Sequence, residues 1–170
     1  MLYTSLNASE TVPKSHARIE LRGKLDSLNA QIIFLQTLSG NHDYITDLEE
    51  VRGVVRELQA CEAGGKIFSG GFSLWGMSDE ELHARSHNPD RGHILPHRDM
   101  KAEAAGVNVL RTLVREAEVC ACRAFGDYDP LRICHVLNRL SSAVYILTYK
   151  YLPDGYNHVL IFRKEGKSNE

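Results

Sequence analysis

An all-α, up-and-down bundle of four to five helices is the fold class this sequence predicts, and three observations predict it. Apolar residues recur at helical spacing through four long or moderate stretches, clusters of Gly, Pro, Asn and Asp separate them, and no repeat or low-complexity segment interrupts the series. At 170 residues the chain suits one domain over positions 1–170, long enough to bury about 70% of its unfolded surface without disulfide or metal staples.

The first helix is expected in "HARIELRGKLDSLNAQIIFLQTL", where Ile19, Leu21, Leu25, Leu28, Ile32 and Leu35 form the stripe and Ser39-Gly40-Asn41 ends it. Asp43 is the expected cap of the second, "YITDLEEVRGVVRELQACEA", which Gly64-Gly65 terminates. "KIFSGGFSLWGM" holds too many glycines for a helix and reads as a loop, a candidate lid, that exposes Phe68, Phe72 and Trp75 on flexible backbone. Ser78 with Glu81 makes a capping box for the short helix "DEELHARSH", closed by Asn88-Pro89-Asp90, and "RGHILPHRD" follows as a second irregular segment.

The fourth pattern runs from about Met100 to Phe125, with Val107, Leu110, Leu113, Val114, Ala117 and Cys120/Ala121 as its stripe and Gly126 as its stop. Asp129-Pro130 reads as the N-cap and first-turn pair of the last helix, "LRICHVLNRLSSAVYILTYKYL", which Pro153-Asp154-Gly155 ends. The polar tail over 155–170 contains "HVLIFRK", a candidate short strand.

The formal net charge is −2, from 20 basic and 22 acidic residues, so there is no overall attraction for nucleic acid or anionic lipid, and any anion site must be local. Cys61, Cys120, Cys122 and Cys134 form no CxxC pair and read as small core residues of a reducing compartment. The N-terminal "MLYTSLNASE" has neither a basic n-region nor an apolar h-region, and no apolar run approaches the roughly 20 residues that span a bilayer, so a cytoplasmic protein off the membrane is expected.

Polar residues inside the apolar helices carry the chemistry. Arg111, Arg115 and Glu118 stand at offsets 0, 4 and 7 and share a face beside the core stripe. Two cations one turn apart cost roughly 0.2–0.5 kcal/mol, more if shielded from water, so an anion should compensate. Glu118 can neutralise Arg115, and Asp26, which with Asn29 sits among the leucines of the first helix, is a candidate partner for one arginine. Asn138-Arg139 lie amid leucines and valines of the last helix, where a buried amide must be paired. A solvated face is the plain reading; a phosphate site built from three helices, with Arg139 and Lys14 assisting, is the sharper one.

His83, His87, His93 and His97 invite a metal reading, and His83 and His87 are one turn apart. Glu80 and His83 supply only a single ExxH, where a di-iron bundle needs two with further glutamates, and no cysteine is nearby in sequence for zinc. No metal site is expected.

Four stretches, "HARIELRGKLDSLNAQI", "GMSDEELHARSHNPDRGHILP", "NVLRTLVREAEVCACRAF" and "VLNRLSSAVYIL", covering most of positions 12–150, resemble the corrinoid adenosyltransferases, most closely their ethanolamine-utilisation (EutT) type. The broader propanediol-utilisation (PduO) type is similar: its "DELN", "FxLPG", "ARTxCRRAER" and "LNRLSD" blocks look like "DSLN", "HILPH", "LRTLVREAEV" and "LNRLSS". The resemblance implies a helical bundle, a homotrimer by preference and a dimer as the alternative, with active sites between subunits. It implies transfer of the 5′-deoxyadenosyl group of ATP to the cobalt of cob(I)alamin, made from cob(II)alamin, with release of triphosphate and with Mg2+ assisting.

By position, the resemblance gives Asp26 as the partner of Arg111, Arg115 as the polyphosphate contact, and Glu118 as the residue orienting the nucleotide. It makes these four the catalytic set, and adds Asn138, Arg139, Lys14, Tyr3 and Thr4 as ATP contacts, the last three in a nucleotide-contacting segment over 1–15. His93 stands before "ILP" where the broader family has the phenylalanine that displaces cobalt's lower ligand; an imidazole can itself ligate cobalt, which leaves Phe68, Phe72 or Trp75 as alternative corrin contacts.

Two features depart from the family. "YTSLNASETVPK" replaces its glycine-rich "YTxTGDxGxT" phosphate loop, and the N-terminal His and Cys metal motif of some EutT-type chains is missing, so no tightly bound structural metal is expected. Implied partners are an adenosylcobalamin-dependent ethanolamine ammonia-lyase or its reactivase, in the cytoplasm or a bacterial microcompartment. A non-catalytic corrinoid or nucleotide carrier on the same bundle is the rival reading, supported by the altered N-terminal loop.

Overall fold

A computed structural model of the chain describes residues 2–88, 92–126 and 128–160. Five helices pack as a bundle: α1 (Ala17–Leu38), α2 (His42–Gly64), α3 (Asp79–Ser86), α4 (Lys101–Phe125) and α5 (Ile133–Tyr151). Three antiparallel strand pairs decorate it: β1 (Tyr3–Ser5) with β2 (Thr11–Pro13), β3 (Ser73–Leu74) with β4 (Met77–Ser78), and β5 (His93–Ile94) with β6 (Val159–Leu160). The candidate strand in the tail is thus real over Val159–Leu160, and its remaining residues 161–164, like Pro89 and Asp90 of the expected helix stop, lie outside the described residues.

Helix ends follow local chemistry. His16 caps α1 by accepting the Arg18 N–H on Nδ1 at 3.3 Å. The cap of α2 is Asn41 rather than Asp43: its Oδ1 accepts from the N–H groups of Asp43 and Tyr44 at 3.0 and 3.2 Å, which leaves Asp43 in the first turn, facing the positive end of the helix dipole. Gly65 ends α2 in the left-handed region at φ 63°, and the Ser78/Glu81 capping box of α3 forms with both reciprocal bonds.

Asp129 does cap α5, but from a distance. A turn over 129–132 puts its carboxylate under the helix, where it accepts from Ile133, Cys134 and His135 N–H at 2.9, 2.8 and 3.2 Å, so Pro130 lies before the helix instead of in its first turn.

The core stripe of α4 is buried as its spacing requires, apart from half-buried Leu113, against Leu21, Leu25, Leu28 and Ile32 of α1 and Ile133, Val136, Leu137, Leu140 and Val144 of α5. α4 packs tightly against α1 and α2 at Gly106, where an added Cβ would lie 2.7 Å from a Leu35 methyl and 2.9 Å from the Tyr44 hydroxyl.

The glycine-rich loop is not a lid. Phe68 and Phe72 are each only 4% exposed and belong to the core, because the segment folds back on the bundle: Phe68 N–H donates to Leu131 O at 3.0 Å. Trp75 and Gly76, at φ 52° and 71°, turn the β3–β4 hairpin, and the half-buried indole donates to Asp47 O at 3.3 Å while the Trp75 N–H donates to Glu50 Oε2 at 2.7 Å.

One ionic cluster was not legible beforehand. Glu62 of α2 is fully buried and holds two arginines of α1: Arg18 Nε at 2.7 Å on Oε1, and Arg22 Nε on Oε2. Arg18 Nη2 also donates to Glu62 O at 2.7 Å, and Arg22 Nη2 to Leu6 O at 2.7 Å, which fastens the β1–β2 hairpin to the helices.

Candidate active site

α4 and α5 pack side by side, and their adjoining faces open into a cavity of about 440 Å³ lined by Arg111, Arg115, Ser141, Ser142, Tyr145 and His93, with His87 and Asn88 at the end of α3. Arg111 is half-buried and stacks its guanidinium over the Tyr145 ring, 4.7 Å from the centroid. Burial first, and then the positive charge of Arg115, lower its pKa from the usual arginine value. Neither Arg111 nor Arg115 belongs to an ion pair among the described residues. An anion in this cavity would therefore meet two guanidinia whose charges are not already neutralised.

The expected Asp26–Arg111 pair does not form within the chain. Asp26 is exposed on α1 and accepts from Gln59 Nε2 of α2 at 2.7 Å, because its helical position turns it to the α1–α2 groove instead of α4. Asn29 Oδ1 is buried with no hydrogen-bond partner among the described residues.

Glu118 takes a different partner from the one its spacing suggested. Its Oε1 accepts from Asn138 Nδ2 of α5 at 2.9 Å, so it bridges the two helices rather than closing on Arg115. Asn138 is exposed, hence paired at the open edge of the helix pair and not in the core. Arg115 and Glu118 still share an outward groove with Val119, Cys122 and Arg123, so Arg115 stands between that groove and the cavity. Cys122 is exposed and Cys134 half-buried, which leaves Cys61 and Cys120 as the buried cysteines.

Arg139 faces α3. It forms an ion pair with Asp79 (Nε to Oδ1, 2.7 Å), while Nη1 donates to His83 Nδ1 at 2.6 Å and His135 Nε2 lies 3.2 Å from Asp79 Oδ2. It therefore anchors the short helix and does not line the cavity. Tyr3, Thr4 and Lys14 sit on the N-terminal hairpin, where Tyr3 pairs with Pro13 and Thr4 with Val12, and none of them lines the cavity either.

Of the proposed corrin contacts, only His93 reaches the cavity rim. Phe68 and Phe72 are spent on the core, and Trp75 lines a separate cavity of about 660 Å³ with Asp47, Lys150 and Tyr156. The strand carrying His93 is held by two tyrosines of α5: Ile94 N–H donates to Tyr145 Oη at 3.3 Å, Tyr149 Oη donates to Gly92 O, and the two hydroxyls are 3.1 Å apart. Sequence reasoning missed both tyrosines. Ser141, Tyr145 and Tyr149 recur every four residues on α5, a polar stripe that was the available signal.

With that geometry in hand, comparison with known proteins defines the class. A model of the family described as "Cobalamin adenosyltransferase" matches residues 3–151. The chain belongs to the cobalamin adenosyltransferase family. Among curated proteins it is similar to "Corrinoid adenosyltransferase EutT" of Escherichia coli (strain K12), 36% identical over 152 residues that cover 85% of this chain and 56% of the relative. The protein of the same description from Salmonella typhimurium (strain LT2) is 34% identical with the same coverage. The chain spans little more than half the length of these curated relatives.

Two solved structures share the fold. A phenylalanine-to-histidine variant of a PduO-type ATP:corrinoid adenosyltransferase from Lactobacillus reuteri, complexed with cobalamin and ATP, superposes with a TM-score of 0.68 at 19% identity, covering 93% of this chain and 95% of that one. The phenylalanine-to-alanine variant gives 0.70 at 18%, covering 95% and 94%. Among the described residues no helix is long and apolar enough to cross a membrane.

Proposed function

We propose that this protein is an ATP:corrinoid adenosyltransferase that forms adenosylcobalamin from cob(I)alamin and ATP. The observation that carries the reading is the Arg111/Arg115 pair, free of any carboxylate partner among the described residues, at a cavity whose rim carries His93, in a chain of this family. The cobalt(I) lone pair attacks C5′ of ATP, the C5′–O bond breaks, and its electrons leave with triphosphate. Cob(I)alamin is a strong nucleophile that needs little acid or base help, so the protein's contribution is position and charge.

In this reading Arg115, at the junction of cavity and groove, takes the polyphosphate, and Arg111, held on Tyr145, stabilises charge as triphosphate departs. Glu118 and Asn138 act as one bonded unit that places the nucleoside. Glu118 Oε1 is occupied by Asn138, and its second oxygen suits a divalent cation held mainly by phosphates and water, so Mg2+ would add charge neutralisation there. Arg139 acts indirectly by fixing α3, and Asp26, Tyr3, Thr4 and Lys14 reach a nucleotide only if a second copy brings them to it.

Exposed apolar side chains on α1 (Ile33, Phe34, Leu38) and α4 (Val109, Val119) offer a surface for that copy, and the family resemblance suggests a homotrimer with sites between subunits, a dimer being the alternative. Use in ethanolamine breakdown, with an ammonia-lyase or its reactivase as client, rests on the likeness to EutT.

The test is anaerobic cob(I)alamin with ATP and Mg2+, followed by loss of the cobalt(I) absorbance. One triphosphate and one light-sensitive product per turnover are expected, with Arg115→Ala and Asn138→Ala each abolishing turnover in folded protein. Binding of both substrates without product would instead make the protein a carrier, which the altered N-terminal loop favours.

A further inference from the structure

Outside the cavity, His97, Asp99 and His158 bring one ligand-capable atom each within 4.8 Å of one another, from two parts of the chain that sequence spacing could not connect. His97 and Asp99 flank the start of the turn before α4, and His158 immediately precedes β6. Asp99 Oδ2 lies 3.1 Å from His97 Nδ1 and 3.2 Å from His158 Nε2. Bonds of about 2.0–2.1 Å in a tetrahedral zinc site separate neighbouring ligand atoms by about 3.3 Å, close to both distances.

The Asp99 N–H also lies 3.3 Å from His97 Nδ1, and His158 Nε2 is within hydrogen-bond distance of Asp99 Oδ2, so one carboxylate oxygen and two ring nitrogens gather at a single spot. The two imidazoles stack with centroids 4.0 Å apart, and Tyr156 packs on the edge of His158. Arg98 lies 3.8 Å from the other carboxylate oxygen, Oδ1, and is itself almost fully exposed, leaving Oδ2 for a ligand.

We propose that His97 Nδ1, Asp99 Oδ2 and His158 Nε2 form a binding site for a divalent first-row transition ion of the Zn(II) class, with the remaining position open to water. Two imidazoles and one carboxylate suit such ions and not Mg2+, which prefers oxygen donors. The side chains are 44%, 57% and 37% exposed, so this is an exchangeable surface site and not a folding nucleus. Its position gives it a consequence: Leu95 N–H donates to His158 O at 2.9 Å and β5 pairs with β6, so the ion would fasten the tail across the strand that carries His93. The proposal stands independently of the adenosyltransferase reading.

The test is tag-free full-length protein, stripped with chelator, titrated with Zn(II) by calorimetry and with Co(II) by visible absorption. One ion per chain is expected, with ligand-field bands of a nitrogen and oxygen site and a Zn(II)-dependent rise in thermal midpoint. His158→Ala and Asp99→Asn should each weaken binding by about tenfold or more and remove the midpoint rise. Absence of binding at micromolar zinc, or wild-type binding in both variants, overturns the proposal. So does loss of the signal in the double variant His83→Ala/His87→Ala with retention in His158→Ala, which would move the site to α3.

Discussion

Replacing Glu62 with alanine should cost this fold more than most single changes. The carboxylate is fully buried and compensates Arg18 and Arg22, whose side chains are only 22% and 27% exposed. Breaking a buried pair by removing one partner costs about 3–5 kcal/mol. Both guanidinia keep some water, and Arg18 keeps its bond to the Glu62 carbonyl, so the lower end, about 3 kcal/mol, applies. In a domain of this size that is a fall of roughly 6–12 °C in thermal midpoint. Urea titration followed by far-ultraviolet circular dichroism gives the free energy directly. A loss below about 1 kcal/mol with an unchanged denaturant slope would refute the view that this cluster is dry and interdependent. A companion triple variant, Arg18→Met/Glu62→Leu/Arg22→Met, should recover most of the loss, because apolar groups carry no desolvation penalty. It should still loosen the N-terminal hairpin, since Arg22 holds Leu6 O.

Phe72→Ala should lower stability by about 3 kcal/mol or more, as a large core side chain does, while leaving the corrinoid KM of surviving protein unchanged; a KM effect without instability would restore Phe72 as a corrin contact. On the proposed adenosyltransferase reading, with His93 beside the corrin, Tyr145→Phe removes the hydroxyl that accepts from Ile94 but keeps the ring under Arg111, so corrinoid KM should rise several-fold with about 1 kcal/mol lost in a urea titration, and an unchanged KM would count against His93 as a corrin contact. Stability should fall as pH rises above about 10, where unfolded tyrosines ionise. The reason is that burial raises the pKa values of Tyr44 and Tyr151, helped by the carboxylates of Glu103 and Asp47 respectively, so the folded state keeps protons that the unfolded state gives up. Tyr151→Phe should flatten that slope in urea midpoints taken across pH 8–11, and a slope identical to the parent would contradict it.

The helices, the Gly65 and Gly126 stops and the Ser78/Glu81 box were determined by the sequence alone, because each depends on residues within one or two turns. The same locality made the family resemblance readable, since its motifs are continuous stretches around Asp26, Arg111, Asn138 and His93. What escaped were contacts between distant segments. Asp26 and Arg111 have the right chemistry to pair, but helix rotation sends Asp26 to Gln59 and Arg111 to Tyr145. Phe68 and Phe72 looked mobile because glycines surround them, yet the hydrophobic gain of core burial outweighs glycine's freedom. Glu62 gave no signal, because a helical glutamate is usually solvated and only the approach of α1 buries it. His97, Asp99 and His158 meet for the same reason: the β5–β6 pairing closes a loop of some sixty residues, and no spacing rule extends that far.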